Sequence, residues 1–459
     1  MEAPRPALPP GPKSTFKSLL GYLRDPMGIT DALARRHGDP FTLPGKTPLV
    51  VTGDPAGLKA IYTADPDTFE PLADDMAVFL GKSSLILIGG PEHRRLRRLL
   101  GPPFQGARMR AYGRSIVDLT LAAAATWRPG QVVSIHEVAQ RISIDVILQA
   151  VFGVRDPAAM ADLADRLRRL VDGFSPLLAL FPALRHQFAG IGPFAAFTRR
   201  RRRLYEALDA RLAEARAQPP ADDVLSLLVH ARGEDGQPMS DDELREQLLL
   251  MVVAGHETTA IAISWAIYAL HRPENAAALA RLRDELAPLG PAPDPDALAA
   301  LPYLEAACLE ALRRFPLAPA PAPRRLLKEL PLLGYTLPPG TAVAAAIGVA
   351  HFREDTYPEP LAYRPERFLE RKYSPFEFIP FGGGARRCLG APLATYEMRL
   401  VVGALLAARP LRLASLRPDP GKVRAANVGP AHGVRVVVET GSSGFRVAPS
   451  LTRGTPSPA

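Results

Sequence analysis

Hydrophobic positions follow a helical period over most of the chain and a strand-like pattern at only a few places. The helical pattern covers residues 14–37 and most of residues 91–217. Longer apolar helices are predicted at residues 241–269, with acids in the first turn, and at residues 303–315, closed by a proline. Short strands are predicted at Phe41–Leu43, Leu49–Thr52, Tyr335–Leu337, Thr341–Ala346 and Val434–Val438. We therefore expect a mainly α fold with small β-sheets.

Length and composition are those of a large globular protein. The chain has 459 residues, of which 47% are hydrophobic and 22% are charged, close to ordinary globular proportions. Proline is abundant, with 49 residues against a usual share of about 5%, and many prolines stand between helical patterns. We expect residues 1–440 to form one domain. Residues 441–459 are rich in Ser, Pro and Gly and should form a disordered C-terminal tail.

The number of cysteines and the hydropathy of the chain predict the cellular compartment. The two cysteines, Cys308 and Cys388, argue against a disulfide framework and favour a reducing environment. Residues 1–13 lack the apolar stretch of a signal peptide, and no run of about 18 apolar residues predicts a transmembrane anchor. We therefore expect a cytoplasmic protein. The net charge is +9, but the run Arg199–Arg203 lacks aromatic interleaving and any matching motif, so we expect no nucleic-acid partner.

The most informative segment is the decapeptide Phe381-Gly382-Gly383-Gly384-Ala385-Arg386-Arg387-Cys388-Leu389-Gly390. It places a lone thiol after a glycine-rich turn and before a helix-forming run, where a helix N-terminus stabilises a thiolate. One thiolate cannot build a zinc site or an iron–sulfur cluster, which take several ligands, but it can be the protein ligand of haem iron. The alternative is a structural cysteine in a glycine-rich loop.

This segment resembles the cysteine-loop signature of the cytochrome P450 haem-thiolate monooxygenases, soluble bacterial type. The match rests on Phe381, Gly384, Arg386, Cys388 and Gly390. The resemblance implies a helix-rich haem domain with a small β-rich lobe, haem b as cofactor, and Cys388 as the axial ligand of the haem iron. The other four residues of the match would form the cofactor-binding loop around the sulfur.

A polar segment, Ala254 to Thr259, interrupts the long apolar helix. Glycine and threonine inside a helix cost stability, and a buried acid is expensive without a purpose. The segment is therefore either a satisfied polar patch or a proton-transfer site. It resembles the family's oxygen-activation motif, which implies Glu257 as the acid and Thr258 as the alcohol that deliver protons. Gly255 would let the helix open beside the iron, and we expect His256 to face outward.

Glu310 and Arg313 meet on one helix face, and Arg367 follows before the cysteine loop. The pair alone fits a solvated ion pair equally well. Their order resembles the family's Glu–Arg–Arg network, which implies a structural role in bracing the loop. Basic residues should also converge on the two haem propionates. The positions that match propionate-contacting residues in relatives are His93, Arg97, Arg325 and Arg386.

Three stretches correspond to the family's distal pocket, and their side chains are almost all apolar, which suits a hydrophobic ligand. The pocket residues predicted in this way are Val78, Phe79, Leu80, Ile86, Leu87, Ile88, Val253, Ala254, Leu317 and Ala320.

The resemblance implies a monooxygenase that activates O2 and hydroxylates or epoxidises a hydrophobic small molecule such as a fatty acid, terpenoid or steroid-like compound. Electrons would come from NAD(P)H through a ferredoxin or flavodoxin and its reductase. Two alternatives stay open: a peroxide-driven peroxygenase, and a haem-binding sensor without catalysis. The acid–alcohol pair Glu257 and Thr258 argues against both.

Overall fold

The computed structural model describes residues 8–440, except residues 27, 73–75, 105–109, 155, 173–184, 186–190, 222, 235, 319–322 and 425–426. The predicted tail and Ala320 lie outside the described residues. The helices, in chain order, are α1 (Thr15–Arg24), α2 (Gly28–His37), α3 (Pro55–Thr63), α4 (Ala77–Leu80), α5 (Gly90–Leu100), α6 (Gly113–Ala125), α7 (Ile135–Phe152), α8 (Pro157–Asp172), α9 (Pro193–Ala217), α10 (Val224–His230), α11 (Asp241–Leu270), α12 (Ala276–Leu286), α13 (Pro295–Ala299), α14 (Pro302–Arg314), α15 (Ile347–His351), α16 (Arg367–Glu370) and α17 (Ala391–Ala408).

Within the described residues, four small sheets accompany the helices. Their strands are β1 (Phe41–Leu43), β2 (Leu49–Thr52), β3 (Phe69–Pro71), β4 (Val132–Ser134), β5 (Arg324–Leu326), β6 (Leu330–Leu332), β7 (Tyr335–Leu337), β8 (Ala342–Ala345), β9 (Leu411–Leu413), β10 (Gly421–Arg424), β11 (Asn427–Pro430) and β12 (Arg435–Val438). The largest sheet has the order β1-β2-β8-β5-β3, and within it β2 and β8 are parallel. The others pair β4-β12-β9, β6-β7 and β10-β11. The expectation of a mainly α fold with small sheets is confirmed.

Helix α11 is the central element of the helical body. A capping box fixes its start, in which Ser240 and Glu243 satisfy each other's backbone N–H groups. It packs most extensively on α7, and also on α14 and α17. Both α11 and α17 are long and apolar enough to cross a bilayer by length and composition alone. Because 56% and 72% of their most apolar windows are buried inside the protein, the same apolarity is what a core helix requires.

The predicted element boundaries differ from the observed ones mainly near the N-terminus. The single helix predicted at residues 14–37 is two helices, α1 and α2. Ser14 caps α1 through its side chain, and Asp25 ends the helix just before Pro26. A proline cannot donate the backbone hydrogen bond that a continuing helix needs, which explains the break.

Candidate active site

The cysteine loop is a tight turn that precedes α17. The backbone N–H of Cys388 donates to the carbonyl of Phe381 at 2.9 Å and closes the loop. Gly384 has φ +62, and a Cβ there would lie 2.4 Å from the backbone oxygen of Tyr62 on α3. Only glycine fits this combination of a left-handed backbone and close approach. Gly390 is the N-cap residue of α17.

Two opposing influences act on the Cys388 thiol. The residue is exposed, yet the surrounding protein desolvates the sulfur, and this burial raises its pKa. Backbone N–H groups of Gly390 and Ala391 and the charges of Arg387 and Arg97 act in the opposite direction. These groups would stabilise a thiolate that carries a bound cation. Burial raises the pKa of the Cys308 thiol to about 12, so this cysteine is core and not a ligand.

A buried ion network lies behind the loop and joins the three residues predicted to brace it. Arg313 donates from Nε and Nη2 to the two carboxylate oxygens of Glu310 at 2.7 and 2.8 Å. Arg367 Nε donates to the same carboxylate at 3.1 Å. All three side chains are at most 2% exposed. The geometry is therefore that of a desolvated network and not of a surface ion pair.

Hydrogen bonds lead from this network to the cysteine loop. Arg313 Nη1 donates to the carbonyl of His351 at 2.8 Å. The Nε2 of His351 accepts the backbone N–H of Ile379 at 3.0 Å, just before Phe381. Burial, followed by the charge of Arg313, lowers the pKa of His351 to about 3, so its ring is neutral and can accept this bond. The network thus fixes the backbone segment that leads into the turn.

Three basic side chains line a small cavity between β3, α5 and the cysteine loop: His93, Arg324 and Arg386. Burial, then repulsion from Arg324 and Arg97, lowers the pKa of Arg386 to about 10. Burial, then the charge of Arg386 and other arginines, lowers the pKa of His93 to about 4. Arg97 Nη2 donates to the carbonyl of Arg387 at 2.6 Å. The arginines thus concentrate positive charge beside the neutral ring of His93, and an anion would stabilise them.

Arg325, which the resemblance assigns to the propionates, does not line this cavity. Its guanidinium pairs with Glu70 at 2.9 Å across the β3–β5 ladder. Arg324, its neighbour, points to the other face, where it lies over the rings of Tyr62 and Phe69 and lines the cavity. Successive side chains of a strand alternate between faces, so one residue of offset decides the role. Sequence reasoning missed Arg324.

The predicted oxygen-activation motif coincides with a gap in the burial of α11. Residues 259–270 are buried without interruption, and most positions of 244–252 are too, whereas none of residues 253–258 is buried. Ala254 is exposed in the middle of this helix. Thr258 Oγ1 donates to the carbonyl of Ala254 at 2.5 Å. Residues 253–258, here called the uncovered window of α11, therefore form a surface of the helix that a bound group can contact.

The expected opening of α11 at Gly255 is not observed, since the helix is α-helical throughout the motif. A Cβ at this position would lie 2.8 Å from Cδ1 of Ile147, so Gly255 permits the close approach of α7 instead. His256 is partly exposed, and its Nδ1 lies 2.9 Å from the carbonyl of Val252.

Glu257 turns toward α7 and contacts two polar side chains there. Gln140 Nε2 donates to Oε2, and His136 Nε2 lies 3.4 Å from Oε1. Burial acts to raise the pKa of the Glu257 carboxyl, but His136 and Gln140 outweigh it and hold this pKa below its usual value. Sequence reasoning missed both partners, because no local sequence pattern relates Gln140 to Glu257, which lies 117 residues later in the chain. It also missed Glu397, fully buried on α17, whose carboxyl accepts from Ser143 Oγ at 2.5 Å.

The predicted pocket residues fall into several environments. Phe79, Leu80 and Ile88 are buried in a core cluster, against which Val78, Leu87 and Val253 pack. Ile86 is 42% exposed. Leu317 packs on a different cluster, and Ala254 lies in the uncovered window of α11.

The residues present fit a haem. The site offers a thiol toward which the backbone N–H groups of Gly390 and Ala391 are directed, and a basic cluster suited to two propionates. It also offers the uncovered window of α11.

Comparisons with known proteins agree with this geometry. The cytochrome P450 family model matches residues 6–418. Cytochrome P450 135B1 of Mycobacterium tuberculosis is 34% identical over 467 residues, covering 98% of this chain and 96% of that protein. Cytochrome P450 135A1 of the same organism is 31% identical, covering 94% of each. The solved structure of retinoic acid bound cyanobacterial CYP120A1 is similar with a TM-score of 0.79 and 25% identity, covering 92% of this chain and 96% of that one.

Proposed function

Because the chain belongs to the cytochrome P450 family, whose members are haem monooxygenases, we propose that it hydroxylates or epoxidises a hydrophobic small molecule with Cys388 as the axial ligand of haem b. Bound haem would supply the iron at which O2 is reduced and cleaved. The observation that carries the assignment is the Cys388 thiol at the start of α17, surrounded by groups that favour its anion. Residues 1–440 form one functional domain in this proposal.

The remaining roles, which are binding the propionates, transferring protons and shaping the cysteine loop, belong to residues of the protein. Arg97, Arg324 and Arg386 hold the propionates, because they place positive charge together beside the cysteine loop, and the neutral ring of His93 donates a hydrogen bond to them. Thr258 presents a hydroxyl on the uncovered window of α11, and Glu257 supplies the carboxyl of the proton path. Phe381, Gly384 and Gly390 shape the loop around the sulfur.

The substrate is a fatty acid, a terpenoid or a steroid-like compound. Support comes from Val78, Leu87 and Val253, which are apolar and only partly buried. The cyanobacterial structure named above holds retinoic acid, which is itself a hydrophobic isoprenoid. Titration of the purified protein with lauric acid, a sesquiterpene and a steroid, monitored by haem absorption, tests this, and no spectral change with any of them would contradict it.

Electrons come from NAD(P)H through a ferredoxin, or a flavodoxin, and its reductase in the cytoplasm. The net charge of +9 and the exposed Arg387 beside Cys388 suit an acidic electron donor. Turnover with peroxide alone, equal to turnover with the reductase system, would favour a peroxygenase instead.

A carbon-monoxide difference spectrum of the reduced protein tests the central assignment. We expect the strongly red-shifted Soret band of thiolate ligation, lost in Cys388→Ser and retained in Cys308→Ser, which removes the other cysteine. Bound haem without that shift in the wild-type protein would refute the axial-thiolate assignment.

A further inference from the structure

The carboxylate of Glu257 lies in a cradle formed by one face of α7. His136 and Gln140 are four residues apart and therefore share a face of this helix. Between them they contact both carboxylate oxygens of Glu257, His136 at Oε1 and Gln140 at Oε2. The side chain of Thr258, the next residue, is engaged elsewhere, with the carbonyl of Ala254. The acid is thus held on the α7 side of the helix.

His136 is firmly placed and incompletely satisfied. Its backbone N–H donates to the carbonyl of Gly433 at 3.1 Å, and Ile135 donates to Val434 at 3.0 Å, which fixes the start of α7. The side chain is 4% exposed. Neither ring nitrogen has a hydrogen-bond partner of good geometry among the described residues. A buried imidazole without hydrogen-bond partners lowers the stability of the fold, and a functional role explains why it is present.

The electrostatic surroundings of the pair are simple. Glu257 faces His136 from α11, and His256 adds a weaker charge from the same helix. From the opposite side, the backbone of Gly433 packs on His136. The ring of His136 therefore acts chiefly on Glu257.

We propose that His136 is the positioning residue for Glu257 and that, together with Gln140, it holds the carboxylate against α7. This role rests on the proposed function, because it concerns the proton path. Gln140 keeps the second oxygen in place. The contact of His136 with Oε1 thereby controls how readily Glu257 can leave the cradle to serve Thr258.

A double-mutant cycle on the purified haem-loaded protein tests the pair without requiring turnover. Urea midpoints are measured for the wild type, His136→Phe, Glu257→Gln and the double variant at pH 7. Either single variant already breaks the contact, so we expect the loss of stability in the double variant to be smaller than the sum of the two single losses. Additive losses would overturn the proposal.

The functional consequence is measured by O2-dependent NADPH consumption, supported by a plant-type ferredoxin and its reductase. His136→Gln retains a neutral donor and should keep the rate close to that of wild type. His136→Phe should lower the rate, and neither variant should change anything further in a Glu257→Gln background. His37→Gln, at the end of α2 and apart from Glu257, should leave the rate unchanged. Equal rates in His136→Gln and His136→Phe would overturn the proposal, even if the carbon-monoxide spectrum upholds thiolate ligation.

Discussion

Replacing Glu310 by Gln tests whether the buried network braces the cysteine loop. The substitution keeps the shape of the side chain and removes its charge. The carboxylate accepts three guanidinium bonds, at 2.7 and 2.8 Å from Arg313 and 3.1 Å from Arg367, and the backbone N–H of Arg364 at 2.9 Å. A glutamine amide offers one acceptor oxygen and presents N–H groups to the other donors.

The expected loss of stability follows from the burial of the two arginines. Arg313 and Arg367 are at most 2% exposed, so neither guanidinium can turn to water after its partner is lost. Breaking a buried ion pair by removing one partner typically costs about 3–5 kcal/mol. On the same helix, Glu305 pairs with Arg399 at 3.3 Å with its side chain 53% exposed. Glu305→Gln should therefore cost less than about 1 kcal/mol.

The assay is urea denaturation followed by circular dichroism, with haem absorption recorded on the same samples. Because Arg313 holds His351, and His351 holds Ile379 before the loop, Glu310→Gln should also lose haem at urea concentrations that leave helices intact. A stability loss no larger than that of Glu305→Gln would refute the energetic argument. A large loss with haem retained until global unfolding would refute the bracing path.

Three further predictions concern the site itself. Arg324→Gln should weaken haem binding roughly 10- to 150-fold, the value of one charge-assisted hydrogen bond, whereas Arg325→Gln should change it less than about threefold; haem transfer to apomyoglobin measures both, and equal effects would contradict the assignment of Arg324. Thr258→Ala should lower the product formed per NADPH while NADPH consumption continues, and unchanged coupling would remove Thr258 from the proton path. Burial raises the pKa of Glu397 to about 7, so its stabilising contribution is complete below the pKa of the unfolded state and is lost as pH rises through 7. Glu397→Gln should therefore gain up to about 3 kcal/mol over wild type between pH 4.5 and pH 8, measured by urea denaturation, and a pH-independent difference would contradict this.

Much of the fold could be predicted because its signals are local. The strands at Phe41–Leu43, Leu49–Thr52 and Tyr335–Leu337 have the predicted boundaries, and the long helix α11 ends one residue beyond the prediction. The hydrophobic periods, helix caps and terminating prolines that define these elements each lie within a few consecutive residues. The break between α1 and α2 was missed, although Pro26 gives a local signal for it.

Features that depend on which elements face each other could not be predicted. The choice between Arg324 and Arg325 depends on which face of β5 meets the cysteine loop, and the two positions are equivalent in sequence. The pairing of Glu257 with His136 and Gln140 depends on the rotation of α7 against α11. Gly255 has two possible explanations in sequence, an opening of the helix or a close approach, and the position of Ile147 decides between them.

The case for a haem site is stronger than any one of its parts because the parts are independent. A cysteine at a helix start, a run of basic residues and a polar interruption in an apolar helix each have an ordinary structural explanation. An ordinary explanation would leave the basic cluster neutralised by acids and the interruption in α11 covered by packing. Instead the charges of Arg324 and Arg97 lower the pKa of Arg386, and residues 253–258 are less buried than residues 259–270 of the same helix. Both departures cost stability in the protein alone, and an anionic, planar group held by Cys388 would remove both costs at once.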